Sequence, residues 1–530
     1  MMRYSALAVV WLLTAVCAVL GAIASPWWFA WLLLLAPLSL LGAWDLVQSQ
    51  HSLLRNYPLL AHFRWLAEMI RPEIYQYFIE SDVDGRPFDR DSRSLVYERA
   101  KNSHGEYPFG TELDVYEAGY EWFNHSIAPV PLQEEPFRVP VGGPQCKQPY
   151  QMALLNISAM SFGALSSNAI LALNLGARLG GFAHDTGEGG LTKYHLKHGG
   201  DLIWEIGSGY FGCRTRDGNF DLAAFRDKSQ HDHVKCVSLK LSQGAKPGLG
   251  GVMPAAKVTP EIAEIRGVPA WQKCVSPSYH KAFSTPRELV ELIHRMRDAA
   301  GGKPAGFKLC VGQQHEFLAI CKAMLELELF PDFIVVDGGE GGTGAAPLEF
   351  EDHIGTPLGE GVYFVHNALV GCGLRDKIRL GCSGKIHSAF EMARRIAQGA
   401  DYCNAARAMM FALGCIQAQR CQKNTCPVGV ATQDPTRVRA LVVEDKAERV
   451  SHFQQNTVRG FNEIVAALGL HHPSELHPGL LMRRINPTTV KSYAQLYQYL
   501  QPGELLSEPP EHWREAWQQA SPDRFQPKSS

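Results

Sequence analysis

The sequence predicts an α/β protein: a (β/α)8 TIM barrel preceded by an N-terminal transmembrane helical hairpin. Three observations carry this. Between about residues 150 and 415, short β-rich runs alternate with longer segments of helical period, the pattern of parallel β/α units. Many of the strand candidates run into loops of Gly, Ser or Lys, which is where a barrel presents its active face. And from Tyr4 to Trp44 there is no Asp, Glu, Lys or Arg at all, a stretch of 41 residues. A doubly wound sheet is the main alternative, but no strand-linked G-x-G-x-x-G with a following acidic residue occurs, so a Rossmann site has little support.

Taken in order, residues 1–48 form the transmembrane hairpin. About 20 apolar residues span a bilayer core, and the run splits at Ser25-Pro26 into 5–24 and 27–44, with Trp27 and Trp28 at the depth of an interfacial aromatic belt. A secretory signal peptide is the competing reading, because Arg3 precedes the apolar core and Ala22-Ile23-Ala24 resembles a cleavage site. The second run would then stop transfer, and both readings leave the large domain cytoplasmic. Arg3 on one flank and Arg55, Arg64 and Arg71 on the other agree with that orientation. Residues 49–130 read as a helical adaptor or cap, with Leu53, Leu54, Leu59, Leu60, Phe63, Leu66 and Met69 spaced for helices near the membrane or against the next domain.

Residues 131–440 hold the barrel. Strands are expected at 153–159, 234–241, 306–310, 333–336, 378–382 and 401–405, with helices at 168–179, 286–299, 316–327 and 388–397. Residues 441–530 read as a helical extension ending, from Glu508, in a loosely held tail. Lys plus Arg number 51 against 53 Asp plus Glu, a net charge of −2, and 46% of residues are hydrophobic. That balance excludes nucleic acid as a partner, since phosphate contacts need a basic surplus, and it excludes bulk disorder. Thirteen cysteines scattered through a long chain suggest buried thiols or metal ligands in a reducing compartment.

The most specific signal is Cys415, Cys421 and Cys426, a C-x5-C-x4-C pattern followed by Pro427-Val428-Gly429. Clustered thiolates neutralise a soft cation that water serves poorly, so an iron–sulfur cluster is the leading reading and three ligands favour a three-iron one. Structural zinc, with Cys403 as a fourth ligand, and three buried free thiols are the alternatives. Three glycine-rich loops follow: Thr186-Gly187-Glu188-Gly189-Gly190; Gln243-Gly244-Ala245-Lys246-Pro247-Gly248 with Gly250-Gly251; and Asp337-Gly338-Gly339-Glu340-Gly341-Gly342-Thr343-Gly344. Glycine lets a backbone approach a ligand closely. Lys240, Lys246, Lys308 and Lys385 lie on or just after strands, where an anionic cofactor or dicarboxylate needs them. A barrel commonly holds phosphate after its last two strands, here at Cys382-Ser383-Gly384-Lys385 and Asn404-Ala405-Ala406-Arg407.

These motifs, together with Ile157-Ser158-Ala159-Met160-Ser161-Phe162-Gly163-Ala164, Gly341-Gly342-Thr343-Gly344-Ala345 and the run from Cys415 through Gln433, resemble the FMN-binding synthase domain of glutamate synthase over roughly residues 130–440. The N-terminal hairpin followed by His51-Ser52-Leu53-Leu54-Arg55-Asn56 is similar to a smaller branch, the FMN-binding glutamate synthase family proteins. The resemblance implies a barrel holding FMN, with a [3Fe–4S] cluster on Cys415, Cys421 and Cys426 passing electrons to it. The flavin would reduce the 2-imino acid formed from 2-oxoglutarate and ammonia to L-glutamate. Met160, Ser161, Phe162 and Gly163 would contact the isoalloxazine, and Gly384, Lys385, Ala406 and Arg407 would hold the phosphate. Gly341 and Gly342 would line the cofactor pocket. Lys240 and Gln243 would sit near the ring, Glu188 would face the reacting centre, and Lys246 would pair with a substrate carboxylate.

The departures from the resemblance carry their own expectations. Complete glutamate synthases carry a glutaminase domain and a β-helical domain, and neither is recognised here, so free ammonia or a partner glutaminase is expected as nitrogen source. Tyr210, in Ser208-Gly209-Tyr210-Phe211-Gly212, stands where the full-length enzymes are expected to have arginine. No nicotinamide-binding motif is visible, so the expected electron donor is ferredoxin, a separate reductase or a membrane carrier. A related enzyme acting on another amine, of the N-methylglutamate synthase kind, and a membrane electron-transfer or redox module are the rival readings.

Overall fold

The computed structural model describes residues 2–103, 105–133 and 135–527. They fall into two compact units, Met1–Arg90 and Asp91–Ser530.

In the first unit the charge-free stretch forms two helices, α1 (Ser5–Ile23) and α2 (Leu32–Val47), joined by a 3-10 turn over Pro26–Trp31. Both are long and apolar enough to cross a membrane, with mean hydropathies of 2.6 for Ser5–Ile23 and 1.8 for Pro26–Val47. Small residues let them touch: a Cβ on Gly42 would lie 2.3 Å from Leu7 Cδ1, and one on Gly21 2.6 Å from the Phe29 ring. Thr14 Oγ1 and Ser39 Oγ are 2.8 Å apart between the helices, so the few polar groups satisfy one another. Leu12, Ile23, Trp27, Leu33 and Leu40 point outward and are exposed. Asp45, the first charge after the run, is fully buried; its carboxylate accepts from Leu59 N at 2.9 Å and lies 3.0 Å from His62 Nε2. The chain continues into an amphipathic helix over His62–Ile74 and a π turn over Tyr75–Ile79.

The second unit is a closed barrel of eight strands in chain order. They are β1 (Leu155–Ile157), β2 (His184–Asp185), β3 (Leu202–Ile206), β4 (Val234–Lys240), β5 (Ala305–Leu309), β6 (Phe333–Asp337), β7 (Arg379–Ser383) and β8 (Tyr402–Ala405). Every pairing is parallel, and β8 closes on β1 through Cys403–Leu155, Asn404–Asn156 and Ala405–Ile157. Six of the eight match the expected runs; β2 and β3 were not among them. The expected strand at 153–159 is shorter than its apolar run because Tyr150–Ala153 pairs antiparallel with Arg138–Val141 instead. Val141 and Met152 of that hairpin pack with Ala183, Ile203, Cys236, Phe333, Val335 and Tyr402 and fill the barrel core.

The main helices of this unit are α3 (Ser167–Gly180), α4 (Leu222–Ser229), α5 (Pro286–Ala299), α6 (Gln314–Leu327), α7 (Leu358–Gly371), α8 (Ala389–Ala397), α9 (Arg407–Ala412) and α10 (Val443–Ala467). Local signals set their ends. Ser166 caps α3 by accepting from Ala169 N, and Gly181, at φ +66°, ends it. Thr285 and Glu288 form a capping box on α5. α10 lies against α3 at Gly176, whose Cβ would meet Ala447 O at 2.8 Å. At the foot of the barrel Arg297 Nε donates to Asp332 Oδ2 at 2.8 Å, both side chains essentially covered.

Beyond the barrel the helical expectation needs correction. Leu481–Asn486 and Thr489–Ser492 form a β-hairpin, and Glu121–Phe123, from the segment expected to be helical adaptor, adds a third antiparallel strand. Nor is the chain after Glu508 loosely held. The helix Glu511–Gln519 buries Trp513, which stacks on Phe364 at 5.1 Å and 7°, and the carbonyls of Trp517 and Ala520 accept from Lys322. Its last three residues, Lys528, Ser529 and Ser530, lie outside the described residues.

Candidate active site

Because every barrel strand points the same way, the residues after their C-terminal ends share one mouth. Lys240 ends β4 and Glu188 follows β2; Lys240 Nζ lies 3.4 Å from Glu188 Oε2 and donates to Gln243 Oε1 at 2.5 Å. Gln243 Nε2 in turn donates to Thr343 Oγ1 at 3.4 Å in the loop after β6. Glycine shapes the chamber around the carboxylate: a Cβ on Gly251 would stand 2.0 Å from Glu188 Oε1, and one on Gly207 2.4 Å from Oε2. Burial pushes the Glu188 carboxyl up, but Lys240 above all, with Arg266 and Lys246, brings it below the ordinary carboxylate value. The group is therefore an anion at neutral pH, held beside a cation.

Lys246 acts on this cluster through charge, while its Nζ donates to Ala345 O at 2.7 Å. Burial and the charge of Lys240 lower its ammonium, with Glu188 and Glu351 opposing. The loop after β1 packs on the loop after β2, where a Cβ on Gly187 would stand 2.7 Å from Ser161 N and 2.9 Å from the Met160 carbonyl carbon. Phe162 is buried, Phe162 O accepts from Arg266 Nη2 at 3.2 Å, and Gly163, at φ +100°, makes the turn.

At the last two strands, Gly384 (φ +147°) and Lys385 (φ +52°) turn the chain after β7. Arg407 follows β8 and Ala406, and its Nη2 donates to Glu340 O at 2.5 Å. A Cβ on Gly342 would lie 2.7 Å from the Arg407 side chain, so the Gly341-Gly342 segment folds directly over that guanidinium. Burial brings Arg407 down to about 10, against the pull of Asp337, Glu340 and Glu351. Asp337 ties three loops together, accepting from Ser383 Oγ at 2.5 Å and Gly244 N at 2.8 Å.

Lys308, expected among the ligand-facing cations, is placed otherwise. It is buried in the barrel interior in an ion pair with Glu205, and Asp185 is their third member. Burial and Glu205 push Asp185 up to about 8, while its Oδ1 accepts from Gly187 N at 3.0 Å. Tyr210 is fully buried, and its hydroxyl accepts from Ala282 N at 3.1 Å. The Lys240 carbonyl can only accept from His280 Nε2, at 2.8 Å, which leaves His280 Nδ1 to accept from the Tyr210 hydroxyl at 3.1 Å. Burial brings His280 down to about 4, so it is neutral at pH 7. Sequence reasoning missed Arg266 and His280, which arrive from the long excursion between β4 and β5 with no motif of their own.

Cys415, Cys421 and Cys426 lie in one loop, which three residues other than glycine enter in left-handed conformation: Gln417, Gln419 and Asn424. Burial raises the Cys415 thiol to about 12, and the neighbouring thiols of Cys421 and Cys426 add to the rise. The three are thus electrostatic neighbours, although among the described residues no group of three His, Cys, Asp or Glu is gathered into a metal-holding set. Cys403 is no fourth member, since its thiol faces Cys382 across the adjoining strands at 3.6 Å. Tyr97 O–H donates to Cys415 O at 2.6 Å, and Gln433 Nε2 donates to Gly163 O at 3.1 Å and Leu165 O at 2.9 Å. The loop is thereby stitched to the chain after β1.

A closed parallel barrel with an ionised Glu–Lys pair and glycine loops at its C-terminal mouth defines a (β/α)8-barrel enzyme. Residues 134–471, more than half of the chain, match the conserved region in glutamate synthase. Over 472 residues the chain is 37% identical to the glutamate synthase large subunit-like protein YerD of Bacillus subtilis, covering 81% of this chain and 89% of that one. It is 34% identical over 315 residues to the archaeal-type glutamate synthase [NADPH] of Thermotoga neapolitana, covering 59% of each chain. Against solved structures it aligns with flavocytochrome b2 at a TM-score of 0.41 and 12% identity, over 80% of this chain and 85% of that one. The barrel itself rests on the strand pairing above. This chain belongs to the glutamate synthase family of oxidoreductases acting on CH–NH2 donors.

Proposed function

We propose that this chain is a membrane-anchored, FMN-dependent and iron–sulfur-dependent oxidoreductase of the glutamate synthase type, reducing the 2-imino acid of 2-oxoglutarate and ammonia to L-glutamate. The observation that carries the reading is the Glu188–Lys240–Gln243 cluster at the mouth of a barrel of this family. The residues present suit FMN. Two cations, Lys385 and Arg407, follow the last two strands, where a phosphate dianion would meet charge-assisted hydrogen-bond donors. Gly384 and Ala406 would leave the backbone open to that phosphate, Gly341 and Gly342 would border it, and Met160, Ser161, Phe162 and Gly163 would lie along the ring. Bound FMN supplies the two reducing electrons.

The chain's own residues do the rest. Lys240 would hold a positive charge beside the reduced ring, and Gln243 fixes the direction of its ammonium. Glu188 presents an ionised carboxylate to the reacting carbon and nitrogen, positioned to accept hydrogen bonds from an iminium and to orient it. Lys246 binds a substrate carboxylate. The donor set of Cys415, Cys421 and Cys426 suits an iron–sulfur cluster, the [3Fe–4S] type by ligand number, which would relay single electrons.

The apolar helices α1 and α2 support a two-pass anchor, with the barrel on the cytoplasmic side. Electrons would come from ferredoxin or a separate reductase, and nitrogen from free ammonia or a partner glutaminase. The test is to purify the protein in detergent without air, reduce it with dithionite, and add 2-oxoglutarate with ammonium, methylamine or glutamine. Reoxidation of a flavin band with ammonium and 2-oxoglutarate together, and with neither alone, supports this reading. A preference for methylamine moves the assignment to another amine, and a silent flavin moves it to electron transfer.

A further inference from the structure

We propose that Lys257 is the cation that balances the charge of the cysteine site and couples its electron affinity to the loop after β1. The proposal rests on the reading of Cys415, Cys421 and Cys426 as iron ligands. Lys257 closes the 3-10 turn Ala255–Lys257 and is only 3% exposed, an unusual place for an ammonium. Its Nζ donates to Ala164 O at 2.9 Å, one carbonyl for a group with three protons to give. Burial lowers the Lys257 ammonium to about 8, and the neighbouring sulfurs of Cys421 and Cys426 oppose that fall, so thiolates there would hold the proton on it.

Four further hydrogen bonds fix this arrangement. Asn424 Nδ2, between the second and third cysteines, donates to Ala256 O at 3.4 Å, next to Lys257 in the chain. Gln433 bonds Gly163 O and Leu165 O on either side of Ala164, and Ser166 N donates to Val430 O at 2.8 Å. Lys257 therefore sits where the cysteine loop, its own turn and the loop after β1 meet. Thiolate ligands make an iron–sulfur site negative, and each one-electron reduction adds a further negative charge. A fixed positive charge at this position stabilises the reduced form more than the oxidised one and raises the potential. Lys257 is a positioning residue, since it acts on the site through charge.

The test compares full-length protein, Lys257→Arg and Lys257→Met, each purified in detergent without air, for iron and acid-labile sulfide content and by redox titration followed by electron paramagnetic resonance. Lys257→Met should lower the one-electron reduction constant about tenfold, which is about 59 mV, while Lys257→Arg stays near the parent value. Loss of iron from the Met variant alone also supports the requirement for charge. Equal potentials in the parent and the Met variant, or the same shift or the same loss of iron in both variants, would overturn it. Parent protein devoid of iron removes the cluster reading itself and this proposal with it.

Discussion

Lys240 Nζ and Glu188 Oε2 stand 3.4 Å apart with about nine-tenths of each side chain covered, an ion pair spanning the ends of β4 and β2. Removing one partner strands the other. Lys240→Met should cost about 3 kcal/mol, because Glu188 then keeps a charge in a glycine-walled chamber. The double variant Lys240→Met with Glu188→Gln should recover part of that loss. Urea unfolding of the four proteins gives the coupling, and a double variant as costly as the sum of the singles would refute it.

Glycine at 251 is required by space alone. Its Cβ would stand 2.0 Å from Glu188 Oε1, so Gly251→Ala must displace the carboxylate. Turnover should fall on the order of a hundredfold, in line with a misplaced reacting group, while the far-ultraviolet spectrum and unfolding midpoint barely change. Full activity in that variant would mean that Glu188 does not work from this position.

Stability should depend on the protonation of Asp185. Its carboxyl is raised to about 8 by burial and by Glu205, against 3.8 when unfolded. Between those values the folded chain holds a proton that the unfolded chain has released, so stability falls as pH rises through the window and levels off above about 8. Asp185→Asn keeps an acceptor for Gly187 N and removes the titration. Its unfolding midpoint should therefore decline less between pH 6 and 8 than the parent's; parallel curves would contradict the assignment.

Far from the mouth, Arg297 and Asp332 form a buried pair with several hydrogen bonds. Asp332 also accepts from Ala305 N at 2.8 Å and Gly143 N at 2.7 Å, which ties β5 to the segment below the barrel. Arg297→Met should destabilise by about 3–5 kcal/mol, measured by denaturant unfolding, and leave the flavin spectrum of the remaining folded protein unchanged.

Strands were legible in the sequence where apolar runs are long, as in Val234–Lys240 and Phe333–Asp337, which bury most of their residues. His184–Asp185 escaped because two polar residues make no period, and Leu202–Ile206 because Glu205 reads as a surface charge. Only the fold reveals that Lys308, a neighbour in space and about a hundred residues away in sequence, neutralises it. The same holds for the site. Glu188, Lys240 and Gln243 stand beside glycine loops that announce them, whereas Arg266, His280 and Lys257 are brought in by segments whose partners are long-range. Glu121–Phe123 carries no strand signal of its own because its strand partners lie some 360 residues further on.

If the cluster around Glu188 and Lys240 directs electrons into an imino acid, a reduced flavin is consumed for each one reduced. A single-turnover experiment tests it most directly: protein reduced without air, mixed with 2-oxoglutarate and 15N-ammonium, quenched and analysed by mass spectrometry. The parent protein should form 15N-glutamate in amounts approaching the flavin present, and Glu188→Gln little or none, even though that variant takes up the same reducing equivalents. Absence of labelled glutamate from the parent protein, or an equal yield from the variant, would contradict it.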